Sequence, residues 1–286
     1  MVEVLLTGAT GFVGTHLAAA LAPSHGVRTL SHADGDVADA QTWATLPRAE
    51  VVIHLAARSF VPTSWDRPAD YMRVNLLGTM QALDYCHRHE ARLIFASSYL
   101  YGNPQTLPIP ETAPLHAINP YAQSKLMAEQ TCRFYAENLG VQVLVLRPFN
   151  IYGPGQGSDF LVPSIVRQVL QSDQVRVKDL LPRRDYIYIA DFIAAILAGL
   201  RTDWTFDTVN IGSGISHSVA ELIEIVMTAA GRTLPIQSDG VRRQNEVMDV
   251  RADISHAGHL LGWAPQWTLA QGCAAVLAAA KTHEKT

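Results

Sequence analysis

The sequence predicts an α/β protein: a doubly wound parallel sheet with a smaller lobe contributed mainly by the C-terminal part of the chain. Three observations lead there. Short apolar runs alternate with helical stretches through the first half, the rhythm of repeated βαβ units. A glycine-rich turn joins the first such run to the first helix. After Arg147 the alternation gives way to a Gly/Pro cluster and irregular spacing.

In chain order, "VEVLL" (2–6) reads as the first strand, and an Ala/Leu-rich helix follows from about Thr15 to Ala22. "VRTL" (27–30) is a short second strand and "VVIHLAA" (51–57) a third. The third is apolar but for His54, as suits a strand covered on both faces. A helix spans about Tyr71 to His89, then come "RLIFAS" (92–97), a helix that includes Tyr121, and "VQVLVLR" (141–147). Beyond "RPFNIYGPGQG" (147–157) lie a helix, "FLVPSIVRQVL", a small strand, "VRV" (175–177), and "RRDYIYIADF" (183–192). A helix-rich stretch runs from about Ser216, and the terminal "KTHEKT" is expected to fray. The expected division is a large lobe of residues 1–150, to which 186–215 return, and a smaller one of 151–185 and 216–286.

Composition excludes several classes. The 286 residues are 48% hydrophobic and 17% charged, which is ample for a large core. A net charge of −4 implies no basic patch for nucleic acid or membrane. No apolar run approaches the roughly 20 residues of a membrane span, and "MVEVLLTG" reads as a strand rather than a secretion signal. Three widely spaced cysteines (Cys86, Cys132, Cys273) suit a reducing compartment, so a cytoplasmic location is expected. The eleven histidines are scattered without metal-ligand spacing, so no metal is expected.

Chemistry is concentrated in a few motifs. "LLTGATGFVG" sets Gly8, Gly11 and Gly14 between a strand and a helix. The turn needs glycine freedom, a bare backbone lets a pyrophosphate approach, and the helix N-terminus supplies N–H donors. Asn119 is a natural N-cap and Pro120 suits the first helical position, so Tyr121 and Lys125 fall one turn apart on one helix face. An ammonium near the phenol would draw its pKa down from about 10 and make Tyr121 a proton donor and acceptor.

"TGATGFVG", "HLAA" (54–57), "NLLGT" (75–79), Tyr121-x-x-x-Lys125 and "LRPFNIYGPGQ" (146–156) occur in that order. Together they resemble the extended short-chain dehydrogenases, the NAD(P)-dependent nucleotide-sugar epimerase/dehydratase/reductase family, over nearly the whole chain. The resemblance implies a Rossmann-type fold and a catalytic set of Ser97, Tyr121 and Lys125. It implies cofactor contacts at Gly8, Thr10, Gly11, Phe12, Val13, Gly14, Leu55, Ala56, Ala57, Pro148 and Phe149. Asn75 matches a mainly architectural family asparagine, and Asp36 and Val37 fall in an element that meets the adenine ring. Tyr121 and Lys125 would also border the nicotinamide and its ribose.

The reaction follows from what flanks Ser97. Sugar 4,6-dehydratases of this family carry Asp-Glu there, whereas this chain has Ser98 and Tyr99. Hydride chemistry at carbon 4 of a nucleotide-diphospho-sugar is therefore expected, most simply reduction of a 4-keto-(6-deoxy)sugar nucleotide. A 4-epimerase is the alternative, and a non-catalytic NAD(P)-binding module a more remote one. Ser98, Tyr99, Asn150, Arg184, Arg243 and Glu246 are the expected substrate contacts, the arginines through forked hydrogen bonds to the diphosphate. At the end of the second strand, where NAD users place an acid, stand Ser31 and His32. That favours NADP(H), with NAD(H) the alternative, since Asp34 follows closely. The resemblance also implies a homodimer formed through the helices near 71–89 and 121–139.

Overall fold

The computed structural model describes residues 2–241 and 246–283. The first half builds the large sheet. Its elements are β1 (Glu3–Thr7), α1 (Phe12–Leu21), β2 (Gly26–Leu30), α2 (Ala40–Ala44), β3 (Val51–His54), α3 (Val61–Asp66), α4 (Pro68–Tyr71), α5 (Gly78–His89), β4 (Arg92–Ala96), α6 (Pro120–Leu139) and β5 (Val143–Pro148). The remainder supplies β6 (Asn150–Tyr152), α7 (Leu161–Gln171), β7 (Val175–Val177), β8 (Arg183–Tyr188), α8 (Ile189–Arg201), β9 (Phe206–Ile211), β10 (Ser216–Ser218), α9 (Val219–Ala230), β11 (Ile236–Ser238), α10 (Ser255–Leu261) and α11 (Leu269–His283).

The large sheet has the order β2-β1-β3-β4-β5-β9 and is parallel throughout. Its strands are two-sided. Val4, Leu6, Ile53, Ile94 and Leu146 pack with α1 and α8, while Leu5, Val52, Leu93, Phe95 and Val145 pack with α5 and α6. The period of two thus sends alternate side chains into two separate cores. A second sheet, β10-β8-β6, and a β11-β7 pair are separate from it. Tyr186–Tyr188 complete β8 of that small sheet, so the return to the large sheet starts at α8 and ends with β9 beside β5. No helix among the described residues is long and apolar enough to cross a membrane.

Three details differ from the sequence reading. β3 stops at His54, and residues 55–57 form the loop beyond it. Thr7 Oγ1 bonds His54 Nδ1 at 2.8 Å and accepts the Ala56 N–H at 3.1 Å, which turns the chain out of the sheet there. The single helix expected from Tyr71 to His89 is broken by a π-helical turn, Met72–Leu77, that turns Asn75 inward to full burial. Finally, α1 begins at Phe12, because Gly11 itself is the N-cap.

The strand order reverses between β1 and β3. Crevices of such sheets open there, beyond the carboxyl ends of the strands. Gly8 follows β1 at φ 71° with its Cα against the backbone of Ala56, where an added Cβ would sit 2.7 Å from the Ala56 nitrogen.

His54 is fully buried, and burial first, with Lys125 second, pushes its imidazole down to about 3. The unfolded chain therefore binds this proton below about pH 6.5 while the folded one does not, so stability is lost as pH falls from 6.5 toward 3. For one proton the slope approaches about 1.4 kcal/mol per pH unit. Urea unfolding of His54→Asn, which keeps an acceptor toward Thr7 but does not titrate, should show a shallower loss of stability between pH 6.5 and 4 than wild type. Equal slopes would exclude His54 as the source.

Candidate active site

The glycine turn is held by Gly8 N–H donating to Leu30 O at 3.2 Å and Gly11 N–H to Gly8 O at 3.0 Å. A Cβ at Gly14 would fall 2.1 Å from Gly8 O, so α1 packs against the turn as only glycine permits, whereas one at Gly11 would meet nothing nearer than 3.3 Å. The α1 N-terminus has no side-chain cap. Its first-turn N–H groups at Phe12 and Val13, beside the exposed Thr10 and Gly11, lie at the mouth of the crevice. A bare glycine cradle ahead of an uncapped helix start, with Leu55–Ala57 as its opposite wall, fits a dinucleotide's pyrophosphate.

At the end of β2, Ser31 donates both its N–H and its hydroxyl to Asp34 Oδ2, each at 2.8 Å. That closed turn holds the Asp34 carboxyl below the usual carboxylate range, the Ser31 N–H bond being the largest cause. His32 is exposed beside it. Asp36 accepts the Ala38 N–H at 2.9 Å and pairs with Arg73, and its carboxyl too is lowered, by Ala38 first. Val37 is buried, and its carbonyl accepts from Trp43 Nε1 at 2.8 Å.

Asn75 acts one step back from the crevice. Its amide accepts from Arg58 N–H at 2.8 Å and donates to Arg58 O at 3.0 Å and Ser124 Oγ at 2.8 Å. It therefore ties the loop after Ala57 to α6.

α6 begins as its sequence dictates, with Asn119 Oδ1 accepting the Ala122 N–H at 2.8 Å and Pro120 in the first turn. Lys125 is 3% exposed and its Nζ donates to Ala96 O at 2.7 Å. Burial brings its ammonium down to about 8, against the opposing pull of Cys132 and Glu129. Tyr121 differs from the expected lowering: burial pushes its phenol up to about 12, a hydrogen bond with Ser98 works against this, and Tyr99 and Tyr71 add to the rise. The Lys125 ammonium itself is turned to the Ala96 carbonyl. Within this chain, then, desolvation outweighs the neighbouring cation.

Ser97 follows β4, with its N–H on Leu146 O at 2.8 Å. Its hydroxyl is buried without a partner among the described residues. The two serines thus divide the work: Ser98 meets the phenol and Ser97 keeps a free hydroxyl. Tyr99 stacks on Phe149 with centroids 5.0 Å apart, and its OH donates to Asn150 Oδ1 at 3.1 Å. Asn150 donates in turn to Asp185 O at 3.0 Å. Phe149 follows Pro148 at the end of β5, so one aromatic wall lines up behind the tyrosine and serines.

At the substrate end, Arg184 donates to Val247 O at 2.6 Å and pairs with Glu246. The two expected substrate contacts thus meet each other, and Arg243 lies outside the described residues. Sequence reading missed Asp185. It is fully buried and accepts from Ser213 N–H (2.6 Å), Ser213 Oγ (2.7 Å), Gly214 N–H (3.0 Å) and Ala252 N–H (3.1 Å), which fixes the segment that carries Glu246 against β8. An acid opening the otherwise apolar run "DYIYI" was the available signal. It also missed Glu129, on the same helix face as Lys125, paired with Arg147 through Nη2–Oε2 at 2.6 Å. Among the described residues no cluster of three or more His, Cys, Asp or Glu is placed to hold a metal ion.

Comparison with known proteins gives the same arrangement a family. The profile of the NAD dependent epimerase/dehydratase family matches residues 4–212. The chain is 35% identical to the GDP-6-deoxy-D-mannose reductase of Pseudomonas aeruginosa, over 96% of each chain. It is 29% identical to a putative UDP-glucose 4-epimerase of Methanocaldococcus jannaschii, over 99% of this chain and 100% of that one. Among solved structures, RMD from Pseudomonas aeruginosa complexed with NADPH superposes with a TM-score of 0.91 at 33% identity, covering 98% of this chain and 99% of that one. The UDP-glucose 4-epimerase of Thermotoga maritima, with UDP-glucose, also gives 0.91, at 26% identity and the same coverage. With its glycine turn, Tyr121–Lys125 helix and two-lobed topology, the chain belongs to the NAD-dependent epimerase/dehydratase family.

Proposed function

We propose that this chain is an NAD(P)-dependent oxidoreductase acting at carbon 4 of a nucleotide-diphospho-sugar, and that it reduces a 4-keto-6-deoxysugar nucleotide. The observation that carries the reading is the site around Tyr121: a half-buried phenol hydrogen-bonded with Ser98, Lys125 one helical turn on and buried, and an unpartnered Ser97 hydroxyl, with no carboxylic acid at positions 98 and 99. Gly8, Thr10, Gly11, Phe12, Val13 and Gly14 would hold the dinucleotide's pyrophosphate, and Leu55–Ala57, Pro148 and Phe149 would line its path to the nicotinamide. When bound, an NAD(P) cofactor supplies the hydride.

The chain's own groups supply the rest. A carbonyl that gains hydride must gain a proton on oxygen. Burial keeps the Tyr121 phenol protonated at neutral pH, the state reduction requires. Ser97 would hold the sugar oxygen through its free hydroxyl. The wall of Tyr99 and Phe149 would exclude water from the reacting carbon, and Asn150, Arg184, Glu246 and Arg243 would receive the substrate. The 35% likeness to a GDP-6-deoxy-D-mannose reductase makes the GDP-linked 4-keto sugar the first to assay. A 4-epimerase is the second reading, supported by the structural likeness to UDP-glucose 4-epimerases.

NADPH is the proposed reductant. No acid stands at Ser31 or His32, and one similar structure is of a reductase complexed with NADPH. Asp34, held on the Ser31 N–H and hydroxyl, is a carboxylate that opposes a 2′-phosphate there, whereas Asp36 is paired with Arg73. Exposed Leu77 in the π turn and Phe134 and Leu139 on α6 support homodimerisation through the helices near 71–89 and 121–139.

The catalytic assignment is tested with the keto-sugar panel: Tyr121→Phe should lose about 10²–10⁴-fold in turnover yet still bind cofactor, and Ser97→Ala should weaken substrate turnover more than Ser98→Ala. Near-wild-type turnover by Tyr121→Phe would remove it as the acid. Titration calorimetry of Asp34→Asn should show several-fold tighter NADPH with NADH no better bound; NAD that survives purification alongside weak NADPH binding would put the epimerase first. Sedimentation at micromolar concentration should give a dimer that Phe134→Glu dissociates, and a monomeric wild type would end that proposal.

A further inference from the structure

Lys125 is buried, and a buried ammonium needs a counter-charge. Its surroundings are the Phe95 ring, with Nζ 4.7 Å from the centroid, the Ala96 carbonyl, His54 on β3, and Cys132 and Glu129 on its own helix. His54 is neutral, pushed down to about 3, and burial raises the Cys132 thiol far above its ordinary range. Glu129, whose carboxylate is paired with Arg147, is the one carboxylic acid in this set. Four residues past Lys125, it lies on the same helix face.

Glu129 is itself only 6% exposed, and a buried carboxylate needs a partner. Arg147 holds it with a fork: Nε to Oε1 at 3.0 Å and Nη2 to Oε2 at 2.6 Å. Burial works against the Arg147 charge, but the Glu129 carboxylate more than offsets it. The guanidinium's remaining arm donates to Tyr101 OH at 2.9 Å and Glu111 O at 3.1 Å, and Tyr101 OH passes its hydrogen to Asn210 Oδ1 at 2.6 Å. Asn210 Nδ2 donates to Ile109 O at 2.9 Å, and Ile109 bridges to Ala252. One buried network therefore runs from the helix of Tyr121 to the segment that leads back to Glu246. It passes Arg147, just before Phe149, and Tyr101, just after Tyr99.

We infer that Glu129, clamped by Arg147, is a positioning residue of the site: it supplies the counter-charge for the Lys125 ammonium and locks α6 in register with the end of β5. The role rests on the Tyr121–Lys125 pair proposed above. It makes the charge of Lys125 depend on a residue that touches neither cofactor nor sugar.

The chain has only four lysines, Lys125, Lys178, Lys281 and Lys285, so side-chain NMR of lysine-labelled protein resolves Lys125 directly, with Lys125→Arg for assignment. Glu129→Gln should lower its titration midpoint by about half a unit or more and move the alkaline limb of the pH–rate profile down with it. Because that variant leaves Arg147 buried without its partner, Glu129→Gln/Arg147→Met is made beside it. The double variant should regain thermal stability while the Lys125 midpoint stays low. Arg147→Lys, which keeps a cation on Glu129, should hold the midpoint near wild type even as the melting temperature drops. A folded double variant whose Lys125 titrates as in wild type would reduce the pair to a structural salt bridge and overturn the inference. A lowered midpoint in a protein that turns over no nucleotide sugar would uphold it while removing the reductase reading.

Discussion

The close approach of Gly8 to Gly14 on one side and to Ala56 on the other is the constraint on which the rest depends. Three backbone segments meet there with no side chain between them: the turn after β1, the first turn of α1 and the loop after β3. This contact brings the reversal of strand order to a narrow crevice. Everything chemical in the molecule is placed relative to that crevice, since β4 and β5, the next strands in the sheet, end in Ser97 and in Pro148–Phe149. The sheet delivers the serines and the aromatic wall, and α6, packed across its back, delivers the tyrosine and lysine.

Burial then decides the electrostatics. Around α6 the dominant influence on Tyr121, Lys125 and Cys132 is loss of solvent, and charge pairs modify it. An isolated reading of Tyr-x-x-x-Lys anticipates attraction between the two ends. In the folded chain the lysine answers to a carbonyl and to Glu129, and the tyrosine to Ser98. The proposed acid–base pair is thus two separately tuned groups held at a fixed offset by one helical turn.

Much of this was legible in the sequence, because the signals were local and periodic. The alternation within "EVLLT" and "VLVLR" shows strands buried on two faces, and Asn119-Pro120 announces the start of α6. What was not legible came from contacts distant in sequence. Nothing local says that Asp185 will gather donors from residues 213, 214 and 252, or that Arg147 will close on Glu129 rather than on a phosphate. Likewise the pairing of Arg184 with Glu246 could not be read from two motifs each expected to face substrate. The end of β3 at His54 was missed because "VVIHLAA" is apolar on both sides of His54, and it is a threonine 47 residues earlier that turns the chain aside.

The π-helical turn at Met72–Leu77 has a consequence of another kind. Such a turn accommodates one residue more than a continuous α-helix would. It therefore records a length, not only a composition. Each residue of an α-helix advances about 100° around the axis, so closing this turn by a single residue would rotate Asn75 away from Arg58 and Ser124 while leaving every amino acid of "RVNLL" chemically suitable. In this stretch the count of residues is the inherited information, and drift by substitution is far better tolerated than drift by insertion or deletion.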